Sequence, residues 1–290
     1  MMRRLFTLTV LGALLIGGIQ GPVRAQAAAT LQGQLERNYL LWRNSMIKKD
    51  TRAWQAYTSQ RRQVAVKNRI LSERRAFPSA VFRLPVAPPD TRGLKALRVQ
   101  AKGATAKAVY FGKIDFGVGG KPTDNLLVLN FINERGAWRY DGADFVNLSA
   151  LPDVRKKLLA GDNSFVATAD FAPSGKVEPP QIALRGPAKY IAKAYVYCPG
   201  RDVTLQINKI SRHNFKNTKA AEIVIGGAKD GLNEVQFLIK RLPGSEGIEP
   251  MAIRVYLLSE VQGVKPYTAF EYVVYEKQQP KGSGTSTFIV

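Results

Sequence analysis

The chain has 290 residues, with 43 Lys and Arg against 22 Asp and Glu, a formal net charge of +21, one histidine and one cysteine. That scarcity excludes an internal disulfide and a cysteine–histidine zinc site, and leaves His213 as the sole imidazole for any acid–base pairing. The 45% apolar content allows a hydrophobic core, so the fold rests on packing rather than on cross-links.

Met1-Met2-Arg3-Arg4 is a short cationic start, and Leu5 to Ile19 is an apolar run too short for the roughly 18 residues that span a bilayer. Gly21 and Pro22 break it, and Val23-Arg24-Ala25-Gln26-Ala27 offers small residues for cleavage, so residues 1–27 read as a secretory signal peptide. The mature protein is expected to be exported, periplasmic or extracellular, and soluble. Without Arg3, Arg4 and Arg24 its charge is still +18. A balance this far from zero favours anionic partners: acidic polysaccharide, cell-wall polymer or lipid headgroups, with nucleic acid disfavoured in that compartment.

Leu35, Tyr39, Trp42 and Met46 recur at spacings of four, three and four, which predicts an amphipathic helix over 31–49. Asp50 is placed to cap a short second helix, Thr51 to Thr58. A third helix is predicted from Val64 to Phe77, stopped by Pro78. A proline-rich connection follows through Pro89. Strands are then expected at Leu94–Ala101, Thr105–Phe116, Asn125–Ile132 and Ala137–Leu148, the last pair joined by a hairpin at Asn133–Gly136. Asn125–Ile132 is nearly all apolar, as a strand covered on both faces would be. Ser149 is read as the cap of a last short helix ending near Gly161. Residues 161–180, rich in Gly and Pro, are expected to be a linker between a domain at 28–160 and a second at 181–290. The second domain shows only alternating strand patterns punctuated by turns, which argues a β-sandwich. Cys198 is expected to be a buried small residue, and His213, among Asn214, Lys216 and Asn217, a residue of a polar surface loop.

The helix order, with Tyr39-Leu40-Leu41-Trp42 and Lys49-Asp50-Thr51-Arg52-Ala53-Trp54 at the first junction, resembles the nuclear transport factor 2-like (SnoaL-type, cystatin-like) superfamily. So does the strand pair Leu126–Phe131 and Gly136-Ala137-Trp138-Arg139-Tyr140. The resemblance covers about residues 30–148 and implies a cone whose helices close a bent sheet around a cavity. The expected fold class is thus an α+β cone of three helices on a curved antiparallel sheet, followed by an all-β sandwich. Tyr39, Trp42, Tyr57, Asp115, Asn130 and Trp138 are the candidate cavity residues. Enzymes of that superfamily usually pair an Asp with a His or Tyr, and the only histidine here lies in the other domain.

No catalytic, cofactor or metal residues are assigned. The acids are scattered, and Gly117, Gly119 and Gly120 lack phosphate-loop spacing. Charge is densest from 28 to 90, where Arg61, Arg62, Lys67, Arg69, Arg74 and Arg75 make the third helix a candidate contact for an anionic surface. The leading expectation is an exported, non-enzymatic binding protein. The alternatives are a small-molecule cavity enzyme, an isomerase or hydrolase using Asp115 and tyrosines, and a structural module that dimerises through the N-terminal sheet.

Overall fold

A computed structural model describes residues 21–117, 121–179 and 181–290. Residues 1–20, which carry most of the expected signal peptide, lie outside it, as do Gly119, Gly120 and Pro180. Helix α1 runs from Gly21 to Lys48, so 21–27 continue the helix that the apolar spacing predicted only from residue 31. Asp50 caps α2 (Thr51–Tyr57), its carboxylate accepting the Ala53 N–H at 3.0 Å. Ser59 caps α3 (Gln60–Ser72) by accepting the Arg62 N–H at 3.0 Å, an arrangement worth about 1 kcal/mol. α3 ends well before Pro78. Arg74 takes a left-handed φ of 54°, and the Arg75 N–H turns back to the Ile70 carbonyl at 3.0 Å, which closes the helix by backbone bonding.

Strands β1 (Lys95–Lys102), β2 (Thr105–Ile114), β3 (Thr123–Glu134) and β4 (Ala137–Asn147) form an antiparallel meander in that order. Arg135 and Gly136 make the β3–β4 turn, both with positive φ, as a two-residue hairpin requires. Tyr110, Leu127, Leu129 and Phe131 pack with Leu35, Tyr39, Trp42 and Trp54 beneath the helices. Val109, Phe111, Leu126 and Val128 face the other way, under Leu148, Val166, Phe171 and Leu158 of α4 (Pro152–Leu159). Ser149 lies in a 3-10 turn before α4 rather than capping it, and Leu151 is the capping residue. Residues 164–171 of the expected linker form two 3-10 turns that supply Val166 and Phe171 to this core.

Eight strands follow: β5 (Ile191–Tyr197), β6 (Arg201–Ile207), β7 (Ser211–Lys216), β8 (Lys219–Ile223), β9 (Leu232–Arg241), β10 (Met251–Leu258), β11 (Tyr267–Val274) and β12 (Ser283–Ile289). They make two antiparallel sheets, β11-β10-β5-β8 and β12-β9-β6-β7, that share one core of Ala192, Ala194, Val196, Leu205, Phe215, Val235, Ile253 and their neighbours.

The expected fold class is corrected by this arrangement. The described residues form four helices and three separate antiparallel sheets of four strands, about 40% strand and 25% helix, a mostly-β fold and not a three-helix cone followed by a sandwich. The physical reason in the first half is the second apolar face of the meander. β2 and β3 bury residues on both sides, so α4 and the 3-10 turns must cover what a helix-closed cone would leave outside.

Candidate binding groove

Helix α3 has two working faces. Asn68 and Ser72, one turn apart and both fully buried, look toward the second half of the chain. The Asn68 amide donates to the Ile182 carbonyl at 2.8 Å and its oxygen accepts the Leu184 N–H at 2.9 Å. The Ser72 hydroxyl accepts the Gly226 N–H at 2.8 Å while donating to the Asn68 carbonyl at 2.7 Å. Beside them the Leu71 carbonyl accepts the Ala188 N–H at 3.0 Å. Arg74 completes the clamp, donating to the Lys189 carbonyl at 2.7 Å and pairing with Glu260 at 3.0 Å. Gly227 lets the chain close in here, since a Cβ at its φ of +62° would stand 2.1 Å from the Tyr190 carbonyl oxygen. Buried polar groups of this kind cost little when every one is bonded, and they fix relative position.

The other face carries Arg62, Val66, Arg69 and the following Glu73 at spacings of four, three and four. It forms one wall of a groove of about 830 Å³. The segment Ala80–Leu84 forms the second wall, and Lys193 of β5, Arg212 and His213 of β7, and Ala221, Glu222 and Ile223 of β8 form the third. Six cationic side chains line it, Arg62, Arg69, Arg75, Arg83, Lys193 and Arg212, against Glu73 and Glu222. Glu73 is held by Arg69 at 3.2 Å and Arg75 at 3.3 Å, and Glu222 by His213 at 2.6 Å. Among the described residues, Arg62, Arg83, Lys193 and Arg212 have no carboxylate partner. The groove is therefore an uncompensated cationic concavity, where the low-dielectric walls focus the field.

His213 is not the loop residue expected from its polar neighbours. Ser211, His213 and Phe215 are the inward half of a period-two pattern in β7, and Arg212, Asn214 and Lys216 are the outward half. His213 Nδ1 lies 2.6 Å from Glu222 Oε2, and Nε2 lies 2.7 Å from Ser211 Oγ, which also accepts the Ile225 N–H at 2.7 Å. With Nδ1–H donated to the carboxylate, Nε2 accepts the serine proton and every member is satisfied. Serine, histidine and glutamate in that order form the hydrogen-bond chain of a nucleophilic triad. Ser211, however, is fully buried and does not border the groove, so no substrate carbonyl can approach its Oγ. The chain of bonds ties β7 to β8, the edge strands of two different sheets.

A separate cavity of about 350 Å³ lies under the helices. Of the expected cavity residues, Tyr39, Trp42 and Asp115 line it, together with Trp54, Arg62 and Tyr140. Tyr57 and Trp138 pack at the margin of the helical-side core, and Asn130 sits elsewhere, donating to Asp144 at 2.8 Å. Tyr39 donates to the Pro89 carbonyl at 2.8 Å and Arg43 to that of Pro88 at 2.7 Å, so the proline-rich segment roofs the cavity. Burial pushes the Tyr39 and Tyr140 hydroxyls well above the ordinary phenol range, so both stay protonated donors and neither is a base. Asp115 is exposed at the rim and accepts the Gly117 N–H at 2.8 Å.

Of the six expected anionic-surface contacts, Arg62, Arg69 and Arg75 reach the groove. Arg61 is taken by the buried Asp141, Lys67 lies 5.8 Å over the Phe77 ring, and Arg74 belongs to the clamp. Sequence reasoning missed Arg83, Lys193 and Arg212. Lys193 carried a signal, the outward position of an alternating strand, but not which sheet face meets α3, and Arg212 sits in a strand whose polar residues hide the alternation. Cys198 is buried as expected, and its thiol is pushed up by that burial. No helix among the described residues is long and apolar enough to cross a membrane, and no group of three or more His, Cys, Asp or Glu there could hold a metal.

No family model matches the chain, and neither a curated protein nor a solved structure matches it. The functional reading therefore rests on the geometry of the groove.

Proposed function

We propose that this chain is an exported, non-enzymatic binding protein that holds an anionic polymer in the groove between α3 and the second half of the chain. The observation that carries the reading is the set of four cations, Arg62, Arg83, Lys193 and Arg212, converging on one concavity without carboxylate partners among the described residues. They come from four separate segments of the chain, so their convergence is a property of the fold and not of a basic run. Retention on immobilised polygalacturonate, compared at low and high salt, tests it. Replacing all four cations by Ala removes contacts worth about 0.5 kcal/mol each at exposed sites, a loss of roughly thirtyfold in affinity. Retention that ignores salt, or that survives the fourfold replacement unchanged, overturns the proposal.

The neighbouring cavity supports a second reading, reception of a small apolar ligand bearing a hydrogen-bond acceptor. It is favoured by Trp42, which lines the cavity while its buried indole N–H has no hydrogen-bond partner among the described residues. A titration of tryptophan fluorescence with decanoate tests it, and the absence of any saturable change removes it.

A further inference from the structure

The groove does not end at the cations. Lys193, Ala221 and Ile223, which line it, belong to the outward face of the sheet β11-β10-β5-β8. Alternation in β5 sends Ala192, Ala194 and Val196 into the core and leaves Lys193, Tyr195 and Tyr197 on the outer face, half-buried. Register then sets their neighbours. Lys193 lies opposite Ile223 and Tyr256, Tyr195 opposite Ala221 and Arg254, and Tyr197 opposite Lys219 and Ala252. Three tyrosines, Tyr195, Tyr197 and Tyr256, thus stand on one sheet face beside the groove, with the small Ala221 and Ala252 opposite Tyr195 and Tyr197. Tyr195 and Tyr256 meet edge to face at 6.2 Å between centroids, and the Arg254 guanidinium sits 5.9 Å from the Tyr195 ring, held by Glu271. The rings are braced by their neighbours, so stacking a ligand on them orders little that is not already ordered.

We infer that the polymer held by this groove is a carboxylated glycan, whose sugar rings pack on Tyr195 and Tyr256 while its carboxylates meet Lys193, Arg212, Arg62 and Arg83. The inference rests on the proposed anionic groove and adds to it the identity of the ligand. A polyanion without rings needs only the cations. A glycan presents apolar C–H faces between its charges, and the tyrosine ledge continuous with the cationic groove matches that alternation. Single-stranded nucleic acid also combines charge and rings, but successive bases need parallel platforms, and an edge-to-face tyrosine pair offers none.

The experiment measures affinity of the full chain for four probes: oligogalacturonate, its neutral methyl ester, poly-glutamate and oligo-dT. The variants are Tyr195→Ala with Tyr256→Ala, Tyr195→Phe with Tyr256→Phe, and the fourfold cation replacement. The expected result is a roughly tenfold loss for oligogalacturonate on replacing both rings by Ala. The Phe pair should bind it within about twofold, because the ring and not the hydroxyl makes the contact. Poly-glutamate should bind all tyrosine variants alike, and the ester should bind far more weakly than the acid. Equal effects of the Ala pair on oligogalacturonate and poly-glutamate overturn the glycan assignment, as does no effect on either, or oligo-dT binding more tightly with the same dependence on the tyrosines. If the Ala pair unfolds, the Phe pair and the ratio of oligogalacturonate to poly-glutamate affinity in the unmodified chain decide, a ratio at or below one counting against. Should neither oligogalacturonate nor poly-glutamate bind, the anionic groove itself is refuted. Should both bind with no tyrosine dependence, the groove stands and only the glycan is refuted.

Discussion

Replacing Ser211 by Ala separates a structural tie from a catalytic triad. The substitution removes one oxygen and leaves two partners stranded, the Ile225 N–H at 2.7 Å and His213 Nε2 at 2.7 Å. A buried polar group left without its partner costs about 1–3 kcal/mol. Ile225 is half-buried and water can reach it, which places it at the low end, whereas the His213 side chain is only 3% exposed. The sum is about 2–3 kcal/mol, with little added for the small void, since the lost atom is smaller than a methyl group. Equilibrium unfolding in urea should show that loss as a lower midpoint at unchanged slope. His213→Ala breaks the same bond and the one to Glu222, so the double variant should be less destabilised than the sum of the singles by about 1 kcal/mol. A Ser211→Ala variant within about 0.5 kcal/mol of the unmodified chain refutes the structural tie. Ester hydrolysis by the unmodified chain that vanishes in Ser211→Ala refutes it from the other side.

Glu222→Gln keeps an acceptor for His213 Nδ1–H while removing one of the two negative charges in the groove. Oligogalacturonate affinity should rise about twofold to threefold, as measured by calorimetry, with less than about 1 kcal/mol lost in unfolding. Asp90, bonded to Arg92 and 3.7 Å from Arg43, has its carboxyl pulled from the ordinary 3.8 down to about 2, chiefly by the hydrogen bond from Arg92. A depressed carboxyl stabilises the fold above its unfolded value and loses that contribution as pH falls toward the folded one. Unfolding of the unmodified chain should therefore show an acid-side loss between 3.8 and about 2 that is smaller in Asp90→Asn, by on the order of 1 kcal/mol after solvent screening. Cys198, buried with its thiol pushed up, should resist a thiol-titrating disulfide reagent in the folded chain and yield one equivalent on unfolding; rapid reaction at neutral pH would contradict its packing.

What could be read in the sequence was whatever a local period or a cap determines. Leu35, Tyr39, Trp42 and Met46 repeat along one helix face, and they pack together against the first sheet. Asp50 caps α2 because an Asx side chain before a helical turn needs only its own next three residues. The end of α3 was misread because Pro78 was the visible stop, whereas Arg74 closes the helix through a left-handed turn that an arginine rarely adopts. The second cover of the first sheet was missed for a related reason. Gly- and Pro-rich composition at 161–180 signals irregular backbone, and irregular backbone can still bury Val166 and Phe171. β7 was lost because five of its six residues, Ser211 to Lys216, are polar or charged, and only the burial of Ser211 and His213 shows the strand beneath. The groove was the least legible part, since a period tells which side chains share a face but not which two faces meet.

The clamp explains why those faces stay together. Asn68 and Ser72 spend four hydrogen bonds at the centre of the contact, three of them to backbone groups of 182, 184 and 226 that no regular structure satisfies. If the two halves swung apart, each of these bonds would be exchanged for one to water and the fixed relative position would be lost. The four unpaired cations repel one another, so without the clamp the lowest-energy arrangement would spread them. Holding them against that repulsion stores binding energy for an anionic ligand before it arrives, which a flexible basic run cannot do. Asn68→Ala touches no cation, ring or ligand contact, yet it should weaken oligogalacturonate several-fold and flatten the difference between the fourfold cation variant and its parent. Unchanged affinity in a folded Asn68→Ala protein would mean that the groove's charge acts as a diffuse surface and not as a fixed site.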